Sequence, residues 1–376
     1  MTLHLKGMAW DHPRGYDPMI ATARAFEASN PQTRISWEKR SLQAFEHFPV
    51  EQLADEYDLI VIDHPHAGVV AGEGYLVALD ELGSESALEI LAAQAIDGSH
   101  ESYRYGGHQW ALAIDAAAQV SAYHPDLSSE IPSHWSEVID LAKTGRVLWP
   151  LTPVHALMSF FTLAANQGTP CAETANQLIR ATDGRTVLEA MRAVSEHVPL
   201  ECLSMDPIEA LDLMSTGDSY LYCPLVYGYS NYARYGFRER LIKFANIPSL
   251  GGGEPRGSTL GGTGIAVSAM SSMIGQAVDY AFWIASADCQ KGLYYRAGGQ
   301  PANIEAWNDE AVNKASHNFF RDTQETLQRA WLRPRYDGYL SFQEEGGHIV
   351  NAFLANHTGV EETLKRLEGA YQESLQ

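Results

Sequence analysis

The sequence predicts an α/β protein of two lobes, on three observations. The chain has 376 residues, more than the roughly 250–300 at which a single hydrophobic core stops growing. Residues 1–82 alternate strand-like and helix-like segments in βαβ order. Near Asp115 that pattern breaks and a second series of helices and strands begins. With 45% hydrophobic and 10% aromatic residues, both lobes can bury a core, and the composition excludes a disordered chain.

The first strand is read over Leu3–Trp10, a helix over Pro18–Ser29 and a second strand over Thr33–Arg40. Tyr57–Asp63 has the near-continuous apolar run of a parallel strand buried on both faces. In such sheets functional side chains collect just beyond the carboxyl ends of the strands. The segments there, Trp10–Tyr16 and Asp63–Gly68, each carry an Asp-His-Pro tripeptide, and their positions predict that both line one edge of a cleft.

Residues 107–125 read as two strands interrupted around Asp115, with a crossing from lobe to lobe. Pro132–Ile139 opens a helix that Ser133 or Ser136 can cap. Gly145–Trp149 reads as a strand leading through Pro150 and Pro153 into an apolar helix, His155–Ala165. The helix Met205–Met214 precedes the strand Ser219–Cys223 and a loop crowded with tyrosines. From Leu260 come a glycine-rich strand and the helix Ile274–Ser286. Long amphipathic helices are expected over Asn308–Leu332 and Gly338–Leu354, with Val360–Leu375 closing the chain.

Charge and cysteine usage narrow the partners. Lys and Arg number 26 against 47 Asp and Glu, a net of −21, which opposes broad attraction to nucleic acid or an anionic membrane surface. The expected partner is a small molecule or another protein, and the chain is expected to be a monomer. Cys171, Cys202, Cys223 and Cys289 show neither a CxxC pair nor zinc-ligand spacing and read as buried thiols. No cofactor is expected. Met1–Trp10 runs directly into strand-like sequence without a basic region and an apolar core. The expectation is therefore a cytoplasmic protein as the chain is written, or a periplasmic one if a leader has been removed. No stretch approaches the uninterrupted run of about 20 apolar residues that spans a bilayer. The nucleophile elbow, the Walker loop and the dinucleotide fingerprint after the first strand are all missing.

The candidate site residues are chosen for side-chain chemistry. Trp10 offers a flat ring for stacking. Asp11, His12 and Arg14 lie in a turn before a helix, where Arg14 can fork onto an acid group or pair with Asp11 to brace the loop. Asp63, His64 and His66 carry the His-x-His spacing of a metal ligand pair. Pro65 equally accounts for a tight turn, so hydrogen bonding by Asp63 or His64 is the expectation and no metal is assigned. Tyr222, Tyr227, Tyr229 and Asn231 form the densest aromatic and polar cluster, with Tyr227 and Tyr229 the preferred contacts. Gly261, Gly262 and Thr263 allow close backbone approach.

The order and spacing of several segments resemble the extracellular solute-binding proteins of ABC importers, in the family that carries sugars. They are the Tyr57–Asp63 strand, Gly106–Asp115 followed by Val120–Leu127, Pro132–Trp135, Met214–Asp218 with its tyrosine loop, Gly261–Val267, Gly298–Pro301 and Arg333–Arg335. The resemblance covers most of the chain and implies a two-lobed periplasmic-binding-protein-like fold of type II. Its lobes are joined by two or three crossing strands and close on a ligand about a hinge. It implies discontinuous lobes, 1–114 with 260–312 and 115–259 with 313–376. It also implies ligand contacts at Asp115, at His155 on a helix start, at the tyrosine loop, at Gly261–Thr263 and at the late Arg333, beside Tyr336. The cleft segments hold more histidine and arginine than a pure sugar binder needs. The expected ligand is therefore a sugar, a sugar acid or another small organic acid, with an ABC permease as partner if the protein is exported. The competing expectations are a cytoplasmic lyase, isomerase or hydrolase on the same fold, using Asp11, His12, Asp63, His64 or His66, and an intracellular sensor.

Overall fold

The structure is a computed structural model and describes residues 3–41, 50–128 and 130–376. The chain forms two compact units, Met1–Ala117 with Gly261–Lys314 and Ala118–Leu260 with Ala315–Gln376. It therefore passes from one unit to the other three times.

In the first unit, strand β1 (Leu3–Trp10) runs parallel to β2 (Thr33–Arg40), in register from Leu3 with Thr33 to Trp10 with Arg40. It also runs parallel to β3 (Leu59–Ile62). A short hairpin, β4 (Arg104–Tyr105) with β5 (His108–Gln109), precedes β6 (Leu112–Tyr123). The sheet order is β2-β1-β3-β9-β6, with β9 (Leu260–Val267) antiparallel to β3. Burial follows this order. Every residue of central β3 is buried, whereas the edge strand β2 alternates, with Thr33, Ile35 and Trp37 inside. Helix α1 (Pro13–Ser29) covers one face and is tied to α7 (Ile274–Ala285) by a 2.7 Å hydrogen bond between the Thr22 and Tyr280 hydroxyls. The longer helices between them are α2 (Glu85–Gln94) in this unit and α3 (Trp135–Ala142), α4 (Pro153–Asn166), α5 (Ala181–Ser195) and α6 (Pro207–Ser215) in the second.

In the second unit the later residues of β6 pair antiparallel with β7 (Tyr222–Tyr227) and β8 (Lys243–Ala245). Helices α8 (Phe319–Gln328), α9 (Tyr339–Leu354) and α10 (Val360–Ser374) complete it. From His155 to Asn166 every residue of α4 is buried, the polar His155, Ser159, Thr162 and Asn166 among them. Gly347 on α9 lets the two helices meet, because a Cβ there would lie 2.7 Å from the Pro153 carbonyl oxygen. The four cysteines are buried free thiols, and burial pushes Cys202 up to about 11 and Cys289 up to about 12.

Six expectations differ from what the chain forms. The strand expected over Ser219–Cys223 is β7, Tyr222–Tyr227, because the ladder with β6 runs from Tyr222 to Tyr227 and takes in the start of the tyrosine segment. Helix α1 begins at Pro13 and not at Pro18, because His12 caps it by accepting the Arg14 N–H and Pro13 fills the first-turn position where proline is tolerated. Strand β6 is a single strand through Asp115, because that carboxylate meets a cation from α1 and can stay inside a ladder. The α3 cap residue is His134 and not Ser133 or Ser136. The Glu137 carboxylate accepts from the backbone N–H groups of Ser133 and His134, at 2.7 and 3.1 Å. Gly145–Trp149 is not a strand; Val147 alone bridges to Tyr222. Residues 308–332 are not one helix, since His317 and Asn318 adopt left-handed backbone just before α8.

One buried polar network holds the second unit's end of both β strands that cross. Gln119 of β6 donates to the Ser159 hydroxyl at 3.1 Å and accepts from the Thr162 hydroxyl at 2.6 Å, both on α4. Thr162 also meets the Thr259 hydroxyl at 3.0 Å, and the Ser258 hydroxyl donates to the Gln119 carbonyl at 2.5 Å. Gln119→Leu takes a hydrogen-bond partner from Ser159 and from Thr162 inside the core, while the Ser258 bond to the backbone carbonyl of residue 119 is kept. Since each buried unsatisfied group costs about 1–3 kcal/mol, urea unfolding of this variant is expected to show a loss of ~2 kcal/mol or more, with little change in the dependence on denaturant.

Candidate functional site

The first unit brings its predicted residues to one edge of its sheet. β1 ends at Trp10, whose buried indole lies over the first turn of α1. A Cβ on Gly15 would come within 2.3 Å of the ring. Trp10 therefore packs against α1, whatever else its ring meets. Asp11 is exposed and takes the Lys39 ammonium at 2.6 Å, so it does not pair with Arg14. Arg14 is buried, with Nε 2.8 Å from Asp115 Oδ2 and Nη2 on Oδ1. His12 Nδ1 accepts the Arg14 backbone N–H at 3.0 Å, which puts the proton of the neutral ring on Nε2.

β3 ends next to this turn. Asp63 accepts from the His64 N–H at 2.8 Å and lies 3.2 Å from His64 Nδ1, opening the short turn His64–His66 in which both histidines are buried. The His64 ring meets Tyr103 edge-on, and the Tyr103 hydroxyl donates to the Gly262 carbonyl at 3.2 Å. The pairing of Ile62 with Gly264 sets Asp63 opposite Thr263 one step further on. The Thr263 hydroxyl is buried and has no hydrogen-bond partner among the described residues. Gly262, with φ of 108°, has no room for a Cβ, which would lie 2.3 Å from the Asp115 carbonyl oxygen. Gly261 precedes it in the same strand. Among the described residues no group of three or more His, Cys, Asp or Glu could hold a metal.

Electrostatics around Arg14 and Asp115 are those of a dry ion pair. Burial pushes the Asp115 carboxyl up while the Arg14 charge and hydrogen bonds pull it back. Both carboxyl oxygens accept from the guanidinium, which is the bonding of an ionised pair. Tyr294 lies close enough for the Asp115 charge to add to the effect of burial, and its hydroxyl stays protonated far above the usual range.

The second unit assembles its own set. His155 lies in the first turn of α4 and is buried, its ring 5.9 Å from that of Tyr227 in a T-shaped contact. Burial and then the Arg333 charge lower its pKa from 6.5 to about 3, so the ring is neutral. Arg333 is buried and donates through Nη1 to Gln343 Oε1 of α9 at 3.0 Å. Tyr227 ends β7; Tyr229 and Asn231 follow it, buried, in a short turn whose Tyr232 meets Tyr229 edge-on. Tyr222 is fully buried within β7 and belongs to the core, and Tyr336 is held by Ser374 at 2.7 Å.

The residues therefore gather as Trp10, Asp11, His12, Arg14, Asp63, His64, Asp115, Gly261, Gly262 and Thr263 in one unit and His155, Tyr227, Tyr229, Asn231 and Arg333 in the other. Sequence reasoning missed Tyr103, Tyr294 and Gln343, which meet the site through the fold and carry no local signal. Gly299 was the one available pointer to Tyr294, since a Cβ there would lie 2.2 Å from that ring.

No protein-family model matches the chain, and no curated protein matches it. Solved structures do. The maltose-bound MalE3 of T. maritima is 16% identical over 99% of this chain and 100% of its own, with a TM-score of 0.86. An ABC-transporter solute-binding protein of Thermotoga lettingae bound with α-D-tagatose is 15% identical over 100% of both chains, with a TM-score of 0.84. One from Agrobacterium radiobacter K84, in complex with ribitol, is 17% identical over 99% and 98%, with a TM-score of 0.76. At these identities the likeness is one of fold: the chain has the α/β fold of the ABC-transporter solute-binding proteins, over its whole length.

A neutral buried histidine makes stability depend on pH with a definite sign. Above 6.5, the ordinary value, His155 is neutral folded and unfolded and contributes no slope. As pH falls below that value the unfolded chain takes up a proton that the folded one refuses until about pH 3, so stability falls, by up to ~1.4 kcal/mol per pH unit. His100, lowered by burial to about 4, acts in the same direction in the first unit. Urea unfolding at pH 7 and pH 4.5 should show a smaller acid loss for His155→Gln than for the parent protein.

Proposed function

We propose that this chain is a solute-binding protein of the ABC-importer type, in the family that carries sugars. It captures one small polar solute reversibly, by a hinge movement at the strands that cross between its units. The observation that carries the reading is the full-length likeness of fold to proteins described with maltose, tagatose and ribitol. The residues are suited to the task. Asp63 and Asn231 supply oxygens for hydroxyl groups, Thr263 supplies a hydroxyl, and Tyr227 and Tyr229 supply ring faces. No described helix is long and apolar enough to cross a membrane. In this reading the chain works as a monomer outside the cytoplasmic membrane and delivers its solute to a permease.

Isothermal titration against maltose, tagatose, ribitol and their acid counterparts tests the reading. Saturable one-to-one binding without turnover is the expected result; chemical conversion of a bound solute would put an enzyme in its place. Tyr227→Ala is expected to weaken binding of the best solute on the order of 30-fold, the effect of losing an aromatic hot spot worth about 2 kcal/mol. Trp10→Ala is expected to reduce stability as well as affinity, because its indole packs on α1.

A further inference from the structure

The Arg14–Asp115 pair has a consequence for the solute, given the binding function proposed above. An arginine beside a ligand ordinarily reads acid groups, because its planar fork matches a carboxylate or phosphate. Here that fork is already engaged. Nε and Nη2 both bond Asp115, and the two side chains are 4% and 0% exposed. Neither partner has freedom to turn away. Arg14 sits in the capped first turn of α1. Asp115 lies in β6 against Gly262, where not even a methyl group fits between the strands, and its backbone bridges to Pro301. Gln300 closes the same segment, its side chain donating to the Ala116 carbonyl at 2.9 Å.

We propose that Asp115 sets the charge preference of the protein: by neutralising Arg14 inside the first unit, it makes that part of the site favour an uncharged hydroxyl-bearing group over a carboxylate or phosphate. An anion brought to Arg14 also meets the Asp115 carboxylate, and in a dry setting like charges at short range are strongly unfavourable. A neutral hydroxyl meets no such opposition. Removing the Asp115 charge reverses this balance. Arg14 then loses the carboxylate that both its Nε and Nη2 bond, and an anionic solute is the group that offsets that loss of negative charge.

The test compares solutes of one skeleton, ribitol with ribonate and maltose with maltobionate, by titration calorimetry at pH 7. The parent protein is expected to bind the neutral member at least about tenfold more tightly, and Asp115→Asn to move that ratio on the order of tenfold or more toward the acid. Arg14→Gln with Asp115→Asn removes both charges and is expected to return the preference to the neutral member, which separates charge from loss of packing. A parent protein that binds the acids as well as or better than the neutral solutes overturns the inference and leaves the binding function standing, even if the variants fail to fold. An Asp115→Asn protein that folds, binds and keeps the parent ratio overturns it too. No binding of any of the four by the parent protein overturns the binding function itself, and this inference with it.

Discussion

Strands that leave one hydrophobic core and enter another must carry polar groups through dry surroundings, and each such group has to be matched where it lies. β6 shows this twice. Asp115 is answered by Arg14 before the strand leaves the first unit, and Gln119 is answered by Ser159 and Thr162 after it enters the second. The returning chain is held by the same helix through Thr259 and to the same strand through Ser258. Removing one partner of a buried charged or amide group is far more costly than the net gain of making the bond, so these contacts fix where each strand begins and ends its passage.

The site residues inherit their positions from those anchors. Helix α4 holds Gln119 through its middle turns and presents His155 from its first turn, where the Gly347 backbone of α9 comes close enough to exclude a side chain. α9 also carries Gln343, which receives Arg333. In the first unit the His12 cap, the Arg14 guanidinium and the Trp10 indole share one turn of α1, so the end of β1 and the middle of β6 are braced by the same few residues. Histidine and arginine here are structural partners, His12 as a helix cap and Arg14 and Arg333 as donors to buried side chains, and that accounts for their abundance in these segments.

Much of this was legible in the sequence wherever the signal is local. β1 and β2 fall where apolar patterning puts them, and β3 lies within the apolar run of Tyr57–Asp63. The Asp-His-Pro tripeptides mark strand ends, whereas the strand before the tyrosine loop lies further along than its expected place. What failed depends on distant partners. Asp115 looked like an interruption because a lone carboxylate does not belong in a strand, and its cation lies 101 positions earlier. The helix expected over Asn308–Leu332 had adequate amphipathic spacing, but Asn318 tolerates a left-handed turn better than most residues and ends that regularity. Nor does local sequence show that Trp10 rests on Gly15, since a glycine inside a helix looks like a weakness until the ring that needs its space is seen.

The burial of all four thiols reaches beyond packing. A thiol attacks an electrophile only as thiolate and only when reached, and these are neither ionised near neutrality nor exposed. A cysteine placed on the surface would therefore react alone with a maleimide dye, against a silent native background. One such residue in each unit would turn the folded chain into a donor–acceptor ruler, able to report any movement of its halves in real time without first stripping the protein of the sulfur atoms that fill its cores.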